Sequence, residues 1–150
     1  MFELVINDQL HQFNFGFGFL KEINKKAVQH IDNIEGASQN MGLRVAVSGL
    51  LDSDVETLVD VLFTASQGFN PRPTPGAIGA YIEKDSTDIN KLFEDVLGFL
   101  RTSNCTMKIV VEIEQAVESE KAKQKARETL QKALDKAELE KAKAQTKAKT

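Results

Sequence analysis

The chain has 150 residues, 41% hydrophobic and 27% charged, with a formal net charge of -3, which suits one domain or a smaller domain with an appendage. From 118 to 150 ten Lys and Arg stand against six Asp and Glu, or +4, which leaves -7 on the first 117 residues and no broad basic field for nucleic acid. The lone Cys105 excludes an intrachain disulfide or a cysteine-built zinc site within one chain, and no apolar run is long enough to span a bilayer, so the protein is expected to stay where it is made.

The first element is a hairpin. "FELVI" and "QLHQFNF" flank Asn7 and Asp8, residue types that tolerate the positive φ of a two-residue turn. That loop pairs Phe2 with Phe13, Leu4 with His11 and Ile6 with Gln9, and puts Phe2, Leu4, Ile6, Phe13 and Phe15 on one face. After Gly16 and Gly18 the period changes from 2 to 3.6, and Phe17, Leu20, Ile23, Ala27, Val28, Ile31 and Ile34 predict a helix that stops near Gly36. "SQNMGLRVAVSGLL" follows as a short segment that favours helix over strand.

"SDVETLVDVLFTASQG" reads as a helix opened by a Ser53–Glu56 capping box, buried through Val55, Leu58, Val59, Leu62 and Phe63, and closed by Gly68. Pro71, Pro73 and Pro75 make "FNPRPTPGA" a loop, because each removes a donor and biases its predecessor away from α geometry. A short helix over 77–83 precedes another over 87–102, whose buried face is Ile89, Leu92, Phe93, Val96, Leu97 and Leu100. "TMKIVVEIEQAVE" reads equally as strand or as the start of a terminal helix. Beyond it the chain is rich in Ala, Lys and Glu, with a Glu128–Lys132 pair and a thin seam of Ala126, Leu130, Ala133 and Ala137. A solvated helical arm is expected there, fraying after about Leu139.

The pattern therefore predicts an α+β, mostly α fold, with an N-terminal β-hairpin packed on a small helical bundle over 1–105. A connector of either type covers 106–117, and a helical or partly disordered arm covers 118–150.

Gly16-Phe17-Gly18 between strand and helix is the setting of a dinucleotide-binding turn, but Lys21 stands where the third glycine belongs and the strand is part of a hairpin. The alternative is that the glycines turn the chain so that the hairpin packs on its own helix. His11, near the loop end of the apolar hairpin face, and His30, on the polar flank of the first helix, lack a nucleophile or an i+4 histidine. Asp52, Asp54, Asp85 and Asp88 suit helix N-termini rather than a metal. Neither a catalytic residue nor a cofactor or metal is expected.

"FNFGFGFLKEINKK", "DSDVETLVDVLFTAS", "NPRPTPGAIGAYIEK" and "INKLFEDVLGFLRTS", in that order over about residues 1–105, resemble the tail assembly chaperones of siphophages that infect Gram-positive bacteria. Members often carry Asn-Gly in the hairpin loop where this chain has Asn7-Asp8. The resemblance implies a non-enzymatic protein of the host cytoplasm that keeps the tape measure protein soluble until tube subunits assemble around it, and is then absent from the mature virion. It also implies that "KAKAQTKAKT" could end the short product of a programmed frameshift.

The implied partners are the tape measure protein, with the tail tube protein and a second copy of the chain as further candidates, and neither nucleic acid nor membrane. Phe17 and Phe19 at the hairpin-helix corner and Leu130 and Leu134 in the charged helix are the candidate partner-binding residues, Phe19 being the less committed of the first two to the core. The competing reading makes every Phe of the block interior packing. Two other functions stay open: a structural tail component, such as a completion or tube protein, and a small nucleotide-dependent enzyme.

Overall fold

The computed structural model describes residues 1–30 and 38–148 and divides the chain into two units, Met1–Ile113 and Glu114–Thr150. In the first unit Asn7 and Asp8, with φ of 52° and 62°, reverse the chain between β1 (Phe2–Ile6) and β2 (Gln9–Phe13). Positive φ at both central residues matches the right-handed twist of the strands, so the expected register forms, with Phe2 opposite Phe13 and Leu4 opposite His11. Phe2, Ile6, Phe13 and Phe15 are buried on the inner face, while Val5 and Leu10 pair on the outer one.

The first helix is shorter than the sequence pattern suggests. α1 spans Phe17–Asn24, and the chain leaves it for β3 (Val28–His30), paired antiparallel with β4 (Ser38–Asn40). His30 is thus a strand residue, and Ile31, Ile34 and Gly36 lie outside the described residues. The reason for the stop lies in α2 (Gly42–Leu51), whose own N-cap, Met41, provides no side-chain acceptor. Asn24 provides one instead, its Oδ1 accepting from the Leu43 amide at 3.0 Å, while the Met41 amide donates to the Ala27 carbonyl at 2.8 Å. Asn24, the last residue of α1, makes that bond with its side chain where the chain turns away toward β3. The two backbones meet at Gly42, where a Cβ would lie 1.8 Å from the Ile23 carbonyl oxygen.

Ser53 does not cap the next helix. It sits at φ 58° directly after α2, its amide donating to Leu50 and the Asp54 amide to Gly49, the paired bonds of a Schellman stop. With Ser53 consumed there, α3 (Val55–Ala65) begins at Asp54, whose carboxylate accepts from the Thr57 hydroxyl at 2.5 Å. This start also rotates the buried face from the expected one. Leu58, Val61, Leu62 and Ala65 point inward, Val55 is 44% exposed, and Phe63 is half-buried beneath the Arg72 guanidinium, 3.9 Å from the ring centroid.

Arg72 also donates to the Phe63 carbonyl (3.0 Å) and the Ser66 hydroxyl (3.1 Å), pinning the proline loop to the end of α3. Thr74 caps α4 (Pro75–Glu83), with Pro75 at a first-turn position that needs no donor. Asp88 caps α5 (Ile89–Thr102), which buries Leu92, Phe93, Val96, Leu97 and Leu100 as its spacing predicts. The segment that read equally as strand or helix is helical: α6 runs Met107–Ala148. Its first turns bury Val110 and Ile113, and Glu112 forms a two-point ion pair with Arg44 of α2.

The second unit is the remainder of α6. Its side chains from 118 to 148 are exposed, and the helix continues past Leu139, where fraying was expected. Ala, Lys, Glu and Gln are strong helix formers, and i,i+4 bonds such as Gln131 to Asp135 at 3.0 Å reinforce the backbone.

Gly42→Ala is expected to cost about 3 kcal/mol, since a backbone carbonyl is the obstacle. Ser53→Gly should gain about 1 kcal/mol by relieving the left-handed conformation of a residue with a Cβ. Urea denaturation of the two variants beside the parent chain measures both shifts.

Candidate partner-binding surface

The block "FNFGFGFLKEINKK" packs as an aromatic corner. Phe13 and Phe2 stack across the hairpin with centroids 5.7 Å apart, and Phe2 and Phe15 both meet Phe99 of α5, at 5.3 and 6.2 Å. Phe15 then meets the edge of Phe19 at 5.2 Å and 78°. Two hydrogen bonds hold the corner in place: the Asn14 amide donates to Ala65 at the end of α3, and the Ser103 hydroxyl donates to the Phe15 carbonyl at 2.7 Å.

This packing reverses the expected order of Phe17 and Phe19. Phe19 is 4% exposed and belongs to the core, whereas Phe17 is 70% exposed. The helix explains the exchange. At 100° per residue, Phe19 and Ile23 lie within 40° of each other, and Phe17 lies about 160° from Ile23's inward neighbour Phe19, on the far side of α1. Phe15 settles which side is inward by drawing the Phe19 ring against its own.

The glycines beside Phe17 do not supply unusual backbone angles. Gly16 caps α1 in an extended conformation, and a Cβ on Gly18 would meet nothing within 4 Å. Near them lies a shallow cavity of about 270 Å³ bounded by Gly16, Gly18 and Phe19 on one side and Thr64, Ala65 and Gln67 on the other. The depression lies between the start of α1 and the end of α3, and Phe17 is not among its lining residues, because it projects from the opposite side of α1 to Phe19.

Buried polar groups elsewhere in this unit are occupied by the fold itself. His11 lies with Nδ1 2.9 Å from the Pro71 carbonyl, Thr64 donates to Asp60, and Thr106 donates to Leu100 at 2.5 Å. Ser66 donates to Phe63 and accepts from Arg72. Among the described residues no group of three His, Cys, Asp or Glu side chains is arranged to hold a metal ion. Asp54 and Asp88 lie at helix starts, as their positions in the sequence imply. Leu130 and Leu134, in the second unit, are 62% and 51% exposed.

A family model described as phage tail assembly chaperone protein, TAC, matches residues 3–115. No curated protein and no solved structure matches the chain.

Phe17→Ser should leave folding stability within about 0.5 kcal/mol of the parent, whereas Phe19→Ala should cost about 3 kcal/mol or more through the cavity it opens. Gly18→Ala should raise stability by up to about 1 kcal/mol, since it improves helix propensity in open space. Thermal or denaturant unfolding distinguishes this assignment from the reverse one.

Proposed function

The chain belongs to the phage tail assembly chaperone family, and from that membership we propose that it binds the tape measure protein and keeps it soluble while the tail is built. The observation that carries this reading is the exposure of Phe17: a large apolar ring 70% exposed on the outward side of α1, next to a corner in which Phe2, Phe13, Phe15 and Phe19 are buried. An exposed aromatic suits an apolar stripe on a helical partner, with the ring inserted between successive turns. Phe19 and the rest of the cluster position Phe17 and are not themselves presented to a partner.

A holding role fits this surface better than a reaction does. Binding through one exposed aromatic gives contacts that release when a better-matched surface, such as the growing tail tube, competes for the same apolar stripe. The protein would act in the host cytoplasm and be absent from finished particles.

Co-expression of the tape measure protein with the chaperone tests the reading. The parent should co-purify with it and raise its soluble fraction, and Phe17→Ser, with unchanged circular dichroism, should lower co-purification about tenfold, equivalent to about 1.4 kcal/mol. Full retention by Phe17→Ser would remove the ring from the interface, and failure of the parent to co-purify would remove the tape measure protein as partner. Mass spectrometry of purified particles should lack the chain; stoichiometric presence would favour a structural tail component instead.

A further inference from the structure

The second unit carries a repeat that its folding alone does not require. "AKQKARETLQK" (122–132), "ALDKAELEKAK" (133–143) and the following "AQTKA" align every 11 residues, each beginning with Ala and carrying Lys-Ala at its fourth and fifth positions. Eleven residues complete three helical turns with little drift, so the repeat draws a nearly straight line along α6. Ala122, Ala126, Leu130, Ala133, Ala137 and Ala144 fall within an arc of about 80°, interrupted at Glu140, and the stripe from first to last is about 33 Å long. Leu134 lies on its flank. Nothing within the second unit covers this face, because the unit is a single helix whose side chains from 118 to 148 are exposed.

The charges beside the stripe choose its occupant. Glu118 and Glu120 stand at one end, and Lys141, Lys143 and Lys147 at the other. A parallel, in-register pair of these helices would set carboxylates on carboxylates and ammonium groups on ammonium groups. An antiparallel pair related about the midpoint between Gln131 and Lys132 does the opposite. It brings Glu118 and Glu120 to the lysines of the second helix, and Lys123 and Lys125 to Glu138 and Glu140. The same registration sets Ala126 against Ala137 and Leu130 against Ala133, small residues that let two backbones approach closely. Apolar register and charge register agree on one alignment, although either could have failed alone.

We propose that this face is a self-association surface, on which a second copy of the chain docks its own 118–148 helix antiparallel. The alanine seam makes the pair thin and each 118–150 segment carries a net +4, so the matched Glu–Lys contacts supply orientation rather than net attraction, and association is reversible and salt-sensitive. The surface is independent of Phe17 and of the identity of the protein bound there.

Sedimentation velocity on the full chain tests the proposal. At about 50 mM salt the parent should show a dimer, and about 500 mM salt should weaken it at least about tenfold. The Glu118→Lys, Glu120→Lys double variant, at unchanged helicity, should lose the dimer, and adding Lys141→Glu and Lys143→Glu should restore it. In a Cys105→Ser background, Ala122→Cys and Lys141→Cys chains should cross-link to each other when mixed and far less to themselves. A monomer at about 100 μM in low salt, a charge-reversed chain that dimerises like the parent, or preferential self-cross-linking at each position would overturn the proposal. So would a chain that stays monomeric and uses this face only for tape measure protein.

Discussion

The contact on which the first unit depends is the stack of phenylalanine rings that ties the hairpin to the helices. Phe2 and Phe13 meet across the strands, Phe99 joins them from α5, and Phe15 carries the stack onto α1 through Phe19. A two-stranded hairpin is marginal alone in water, so β1 and β2 need this apolar face covered. Once Phe15 and Phe19 are locked together, the rotation of α1 is settled, and the exposure of Phe17 follows from helical geometry rather than from any preference of that ring for water. One packing interaction thus stabilises the fold and presents its most exposed aromatic.

A second constraint works at the other end of α1. Gly42 allows the start of α2 to touch the backbone of Ile23 and Asn24, and the Asn24 side chain fills the place of the missing N-cap. The exchange is unusual in direction: the residue that ends one helix provides the cap of another 17 positions further on. Arg72 does comparable work at the end of α3, covering Phe63 and accepting the role of donor to its carbonyl. Both devices place a polar side chain where a helix terminus would otherwise leave a backbone group unsatisfied. The shallow cavity between the start of α1 and the end of α3 is spanned by the hydrogen bond from the Asn14 amide to the Ala65 carbonyl.

The two units use apolar residues differently. In the first, spacing concentrates them on faces that other elements cover, as on α5, where Leu92, Phe93, Val96, Leu97 and Leu100 are all buried. In the second, alanines and a few leucines lie exposed along a helix held by propensity and side-chain pairs. The holding role proposed for the chain would gain from such surfaces, because thin apolar contacts with charged surrounds exchange partners readily.

Local chemistry in the sequence determined the hairpin, its register, the proline loop and α5, since each depends on neighbours in the chain: Asn7 and Asp8 for the turn, alternation for the strands, and an apolar stripe between Asp88 and Ser103 for the helix. The FNFGFGF block also carried the resemblance that the family match over 3–115 supports. Tertiary structure decided what depends on distant partners. Asn24 caps α2 from the end of α1, Ser53 ends α2 instead of opening α3, and Phe15 chooses Phe19 over Phe17 for the core. Each choice is set by a residue whose position is known only after folding, so the phenylalanine offered to solvent could be counted in the sequence but not identified there.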